Sequence, residues 1–206
     1  MENNQQNYPQ QNWANMMPDY NFYDVRQFRV GFGRRLGAAL LDLLIFLIIY
    51  MVVIMASGVM SEIDFSSVMS NPMGFAEDME AIAPTLGIIT SIIGILYFLP
   101  EIFLGQSVGK MMLAIKIADK DRKPATMNQL VIRYAIKHGD YFFTFISSIV
   151  LIGIIDTIAS FYGIVILIGF FFVLAANKMA FHDMGANTAV FFKDEIISNQ
   201  DIQTQN

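Results

Sequence analysis

Asp42 is a carboxylate inside a long apolar run, and this position is the first sign of chemistry in the sequence. The run, RRLGAALLDLLIFLIIYMVV (residues 34–53), opens on two arginines and carries no other charge. A charged side chain at membrane depth costs roughly 2.5–3.5 kcal/mol on insertion scales, so it must face a protein interior or find a partner. Asp42 is therefore a candidate ion or proton site. The alternative is a structural tie that holds helices together.

Arg35 lies two helical turns before Asp42, on nearly the same side of a helix. Helical side chains lean toward the N-terminus, so we expect Arg35 to reach away from Asp42, toward the lipid headgroups. A cationic partner for Asp42 would then come from another segment, and the candidates are Lys110, Arg133 and Lys178.

The segment GQSVGK, residues 105–110, invites comparison with a phosphate-binding loop. It departs from that pattern because only three residues separate its glycines and Met111 follows the lysine. Gly105 and Gly109 instead predict close backbone packing where a helix leaves the membrane.

The segment FHDMGANT, residues 181–188, places His182 beside Asp183. One histidine without a second nitrogen or sulfur ligand nearby does not predict a metal site. The pattern favours a turn in which Asp183 accepts backbone amides while Gly185 and Asn187 adopt positive φ. The sequence also lacks cysteine. We therefore predict no metal, no cofactor and no enzymatic activity.

The composition places these residues in a membrane protein. Of 206 residues, 55% are hydrophobic and 15% are charged, whereas soluble domains carry about 25% charged residues. We predict an all-α membrane protein whose main partner is the lipid bilayer, with no nucleic-acid partner.

The apolar runs predict about four transmembrane helices, near residues 36–56, 84–104, 141–155 and 159–176. The last 36 of these residues, 141–176, carry Asp156 as their only charge. A single helix of that length would extend roughly 54 Å, beyond the ~30 Å hydrocarbon layer. A break at GIIDTIAS therefore predicts a hairpin with Asp156 at its tip. The alternative is three crossings with an external C-terminus.

Charge along the chain predicts its orientation. Basic residues precede the first apolar run and follow the second, while the loop between them carries only acidic charges. This bias predicts a cytoplasmic N-terminus. Residues 1–33 are rich in Asn and Gln, so we expect a disordered tail there and a second one at 194–206, around a transmembrane domain at 34–193.

The cytoplasmic segment predicts a small strand and helix unit. Residues 113–118 alternate apolar and other side chains, as a strand does, and TAVFF at 188–192 is a candidate partner strand. Thr126 and Gln129 fit a capping box that begins a helix to about His138. Arg133 and Lys137 share one face of that helix, which predicts that it lies at the membrane surface.

These features together resemble the RDD family of bacterial membrane proteins, named for one arginine and two aspartates. The arginine and the first aspartate match Arg35 and Asp42 in RRLGAALLDLL. The remaining motif positions match Gly105, Gln106, Gly109, Lys110, Asp119, His182, Asp183 and Thr188. Asn187 stands where the family usually has glycine. The second named aspartate is Asp183 or Asp119, and we favour Asp183.

The resemblance implies a multi-pass protein of the bacterial cytoplasmic membrane that takes part in transport, with cation/proton exchange suggested for some members. Asp42 would then bind the ion or proton, while Arg35 and Asp183 gate or hold the cytoplasmic end. Four helices are few to surround a transport pathway, so a homo-oligomer or a membrane protein partner is expected. The alternative function is a non-transporting accessory or assembly subunit of a larger membrane complex.

Overall fold

A computed structural model describes residues 24–197 of the chain. The predicted disorder of residues 1–23 and 198–206 lies outside the described residues. The residues just before the first long helix were predicted to belong to the N-terminal tail, but they are ordered. Val30 is buried and its amide donates to the carbonyl of Val190 at 2.8 Å.

The described part of the chain contains eight α-helices, two strands and four short 3-10 helices. The helices are α1 (Phe32–Ser57), α2 (Ser67–Ser70), α3 (Pro72–Phe98), α4 (Pro100–Leu104), α5 (Val108–Met112), α6 (Met127–Val150), α7 (Gly153–Phe170) and α8 (Phe181–Gly185), and the strands are β1 (Ile115–Asp119) and β2 (Thr188–Phe192). This architecture confirms the predicted mostly helical membrane class.

Three helical stretches are long and apolar enough to cross a membrane, namely Phe32–Ser57, Pro72–Leu104 and Gly153–Leu174. Their apolar side chains largely point outward. In α1, for example, Leu40, Leu44 and Ile48 are each more than half exposed. An exterior this apolar suits contact with lipid rather than water.

The second span begins earlier than the predicted residue 84. Asn71 caps α3 by accepting the Gly74 amide, and Pro72 occupies its first turn, where proline is well tolerated. Pro84 lies inside this helix instead of starting it. Some acidic residues of the segment between the first two apolar runs therefore belong to a helical extension of the second span.

Helix α6 is longer than the predicted arm at 141–155. It begins at the predicted capping box, in which the Thr126 side chain accepts the Gln129 amide. It then runs to Val150 with one non-helical residue, His138. The interfacial helix and the third apolar arm are therefore one kinked helix. The helix packs against α3 and α4, so Arg133 is buried and does not lie at the membrane surface as predicted.

The hairpin between α6 and α7 breaks at residues 151–152, before the predicted GIIDTIAS. Leu151 adopts a left-handed backbone, with φ of 58°, and its amide donates to the Ser147 carbonyl. Asp156 consequently lies in the first turn of α7, where a carboxylate complements the helix dipole.

Strands β1 and β2 pair antiparallel, as predicted, with Ile117 opposite Val190. Paired strands lie on one side of any membrane, so the chain between them must cross it an even number of times. Helix α6 leads away from β1, and α7 returns to β2. Three stretches qualify as spans by length and composition, and α6 is not among them. The strand pairing nevertheless favours an even number of crossings between β1 and β2, because an external C-terminus would put a membrane between the two strands.

The packing of α6 on α3 places the motif residues at one end of the bundle. Tyr141 lies against Gly94 and Ser148 lies against Gly87, so α6 runs antiparallel along α3. The start of α1, the segment 99–119, the start of α6 and the segment from α8 to β2 meet at the same end. The α6–α7 break lies at the opposite end.

Candidate functional site: a buried ionic network

Arg35 is buried and does not reach the headgroups, contrary to the sequence prediction. Its Nη1 donates to Oδ2 of Asp183 at 2.5 Å, and its Nε and Nη2 donate to the carbonyls of Val30 and Lys178 at 3.1 and 2.9 Å. The guanidinium therefore joins the start of α1 to the segment before α8. Arg35 points away from Asp42, as the direction of helical side chains predicts.

Asp183 is fully buried between two arginines. Besides Arg35, it accepts a hydrogen bond at 2.8 Å from Nε of Arg133. The amide of Ala180 also donates to Asp183 at 3.1 Å. The predicted turn is therefore only part of its role. Asn187 has the predicted positive φ of 52°, but Gly185 lies within the short helix α8 and lacks it.

Glu101 continues the network from the other side of Arg133. Arg133 donates from Nη1 to Oε2 of Glu101 at 2.9 Å, and Lys110 and Lys137 both donate to Oε1. Positive and negative groups thus alternate from Arg35 through Asp183 and Arg133 to Glu101. One connected network links α1, α4, α5, α6 and α8.

Asp42 has neutral partners, and none of the candidate cations forms an ion pair with it in the described part of the chain. Its Oδ1 accepts the Gly109 amide at 2.7 Å and the Tyr97 hydroxyl at 3.0 Å, while its Oδ2 accepts the Ser107 hydroxyl at 2.5 Å. Only 4% of the residue is exposed. The carboxylate therefore faces the bundle interior and is held by the end of α3 and the segment that follows it.

Gly109 makes this arrangement possible because it has no side chain. A Cβ placed there would lie 2.2 Å from the carbonyl oxygen of Ala38 and 2.9 Å from Cγ of Asp42. Helix α5 can therefore approach the backbone of α1 only with glycine at this position. This finding agrees with the close packing predicted for this glycine.

A small cavity of about 80 Å³ lies between Asp42 and the ionic network. Its polar lining comes from Arg35, Asp42, Lys110, Arg133, Lys137 and His182. Among the described residues, no group of three histidine, cysteine or acidic side chains could hold a metal ion.

Burial and charge set the protonation of the groups around this cavity. Burial, opposed by the charge of Glu101, lowers the pKa of Lys110 to about 7. Burial and the charge of Arg133 hold the pKa of His182 well below its usual range, so the imidazole is neutral. Burial alone would raise the pKa of Asp183, but Arg133 and Arg35 outweigh it and keep the carboxyl ionised.

The remaining motif residues support the segment around the site. Gly105 ends α4 with a φ of 67°, and Gln106 donates from Nε2 to the Ile115 carbonyl at 2.9 Å. Asp119 pairs with Thr188 at the end of the ladder and accepts Nε2 of Gln129 at 2.6 Å. Asp119 therefore lies outside the network that contains Asp183.

The sequence model of the RDD family matches residues 29–187, which contain Arg35, Asp42, Asp119 and Asp183. The chain belongs to the RDD family. No curated protein and no solved structure matches the chain significantly. Thr188 lies one residue beyond the match, although its hydroxyl donates to the Asp183 carbonyl at 3.4 Å. In this RDD protein, the family's arginine is bonded to Asp183 and not to Asp119.

Sequence reasoning missed several members of the site. Glu101 ends an apolar run just as Asp42 interrupts one, so the same argument about a carboxylate at membrane depth would have found it. Tyr97 and Ser107 carried no signal, because neutral hydroxyls are common in helices and loops. Lys137 was noticed only as a charge on a helix face.

Proposed function

We propose that this RDD protein takes part in membrane transport, as a small transporter or a transporter component. The observation that carries the proposal is the alternating ionic network beside a cavity that also contacts Asp42. Buried ion pairs are weak evidence for stability, because desolvation offsets much of their attraction. Ionisable residues at membrane depth instead mark ion or proton sites by default.

The specific form that we propose is exchange of a monovalent cation for protons across a bacterial cytoplasmic membrane. Lys110 supports a proton-carrying role, because its pKa of about 7 lets it gain and lose a proton under ordinary conditions. Asp42 lies across the same cavity. A cation approaching Asp42 would displace the hydroxyl of Tyr97 or Ser107, both of which can rotate away. The ion pair of Arg35 with Asp183 would hold the cytoplasmic end.

The network alone does not open a route to the other end of the bundle. We therefore propose that the transporting unit is a homo-oligomer, or that the chain works with a membrane protein partner. The strongly apolar exterior of α1 and α7 offers surface for such contacts as well as for lipid.

Flux in proteoliposomes tests the proposal. We expect the purified protein to move protons against a gradient of sodium or potassium, and we expect Asp42→Asn to abolish this movement while still folding. Asp156→Asn is the matched control, because Asp156 is exposed in the first turn of α7, at the opposite end. Flux that is absent for every tested cation, or equal in both variants, would contradict the proposal.

A second candidate function is a non-transporting accessory or assembly subunit. One observation favours it: both oxygens of Asp42, Asp183 and Glu101 already have partners within the chain. A network whose carboxylate oxygens all have partners fits a purely structural role, in which it holds the helices together. Absence of flux together with co-purification in a larger membrane complex would support this function.

A further inference from the structure

We infer that the cavity beside Asp42 binds a small inorganic anion, such as chloride, among the cationic side chains that line it. This inference does not depend on the proposed transport function, and a bound anion would have to leave before a cation could reach Asp42 through the same cavity. It rests on the charges of the lining, on the count of hydrogen-bond donors and on one unpartnered histidine nitrogen.

The lining carries an excess of positive charge. Its four cationic side chains are those of Arg35, Lys110, Arg133 and Lys137, whereas Asp42 is its only carboxylate. Glu101 and Asp183 neutralise part of this charge, but neither lines the cavity. Together with Asp42, these two carboxylates balance most of the charge of the four basic side chains. The basic atoms that face the cavity, rather than an unpaired charge, would therefore attract the anion.

The same side chains have unused donors. An ammonium group carries three N–H donors, yet the described residues supply one acceptor to Lys110 and one to Lys137, the same Oε1 of Glu101. Within this part of the chain, Nη2 of Arg133 makes no hydrogen bond, while its Nε and Nη1 do. Donors therefore outnumber acceptors around the cavity.

His182 adds a donor that is both buried and unpartnered. It lines the cavity and is 3% exposed, and its Nδ1 has no hydrogen-bond partner in the described structure. A buried polar nitrogen of this kind normally has a partner. A neutral imidazole keeps one N–H, and in the tautomer that places this N–H toward the cavity His182 would donate to an anion there.

Size and the remaining lining restrict the anion. The volume of about 80 Å³ suits a halide or a small oxyanion rather than an organic anion. Phe170, Ala39 and Val190 complete the lining and offer no acceptor side chain. Tyr97, Ser107 and Gly109 donate hydrogen bonds to the oxygens of Asp42, which reduces the repulsion between that carboxylate and an anion in the cavity.

Binding of radiolabelled chloride to the detergent-purified full chain tests this inference. We expect saturable binding that bromide and phosphate displace and gluconate does not. Each lost donor to an anion should weaken the affinity about tenfold, so we expect that change in His182→Phe and in Lys137→Gln. The control is Lys123→Gln, whose side chain is exposed in the turn after β1 and should leave the affinity unchanged.

Two results would overturn the inference. The first is a wild-type protein that binds no chloride, bromide or phosphate saturably. The second is saturable binding that neither His182→Phe nor Lys137→Gln alters, since the anion would then lie elsewhere. Because two variants are used, a failure of one to fold leaves the other to decide. Transport assays are not needed for either result, so the two proposals can fail separately.

Discussion

Arg35 and Asp183 lie 148 residues apart in the sequence, yet they form a fully enclosed ion pair with a separation of 2.5 Å. This contact joins the start of the first long helix to the short helix before the last strand. Because Arg133 approaches Asp183 from the other side, one carboxylate serves two cations. Asp183 therefore connects α1, near the start of the RDD domain, α6, in its middle, and α8, near its end.

Removing the charge of Asp183 should be strongly destabilising. In Asp183→Asn, two buried guanidinium groups lose their counter-charge, and breaking a buried pair in this way costs about 3–5 kcal/mol of unfolding free energy. Denaturant unfolding in detergent measures the change. The control is Asp24→Asn, since Asp24 pairs with Arg26 at the surface and its removal should change little. Equal effects of the two substitutions would contradict the structural role of Asp183.

Asp42→Asn should cost less than Asp183→Asn. Its partners are two hydroxyls and one amide, so no buried cation loses its counter-charge. Loss of hydrogen bonds to a charged group predicts a decrease of about 1–3 kcal/mol. The same unfolding measurement on both variants gives the order. The opposite order would mean that the neutral contacts of Asp42 contribute more to stability than the ion pairs of Asp183.

Gly109→Ala should separate α5 from α1. The new Cβ would meet the Ala38 carbonyl at 2.2 Å, and backbone atoms cannot rotate away as a side chain would. We expect a decrease in unfolding free energy of about 1–3 kcal/mol, typical of overpacking.

Gly163→Ala is the matched control for this substitution. An added Cβ has no neighbour within 4 Å at this position in α7, so the better helix propensity of alanine should leave stability unchanged or raise it by about 0.5–1 kcal/mol. A similar loss in both variants would exclude close packing at Gly109 as the cause.

Stability should rise with pH above neutrality because of Lys110. Burial lowers its pKa from 10.5 to about 7 in the folded state. Between these values the unfolded chain keeps the proton that the folded chain releases, so unfolding free energy rises by about 1.4 kcal/mol per pH unit. Unfolding measured from pH 7 to 9 should show this slope, and Lys110→Arg should remove it because arginine stays charged. The lowered pKa of His182 changes the pH dependence of unfolding only below about pH 6.5, so it does not affect the slope between pH 7 and 9.

Single cysteines should report the membrane orientation. The sequence contains no cysteine, so an introduced one is the only thiol. We expect a membrane-impermeant maleimide added to intact cells to label Asp156→Cys but not Asp121→Cys, because these positions lie at opposite ends of the bundle. Labelling of Asp121→Cys alone would reverse the predicted orientation, and labelling of both would contradict the four-crossing arrangement.

Local sequence patterns predicted the elements of this RDD protein well. The alternation in LAIKIA predicted one strand, because a period of two is characteristic of strands, and TAVFF was its candidate partner. The two segments do pair. The Thr126 capping box marked the start of α6, since its two hydrogen bonds lie within four residues. Helix ends were predicted less well. Proline and acidic residues at Pro84 and Asp156 suggested breaks where the chain remains helical.

The sequence by itself determined that the chain is a membrane protein and that Asp42 must avoid lipid. These conclusions follow from the cost of placing charge in hydrocarbon, because the charges within an apolar run can be read directly from the sequence. Only the tertiary structure decided the partners. Asp42 accepts hydrogen bonds from neutral donors at the end of α3 and in the segment after it, while Arg35, Arg133 and Glu101 meet in a separate network. Such contacts depend on how helices distant in sequence pack together.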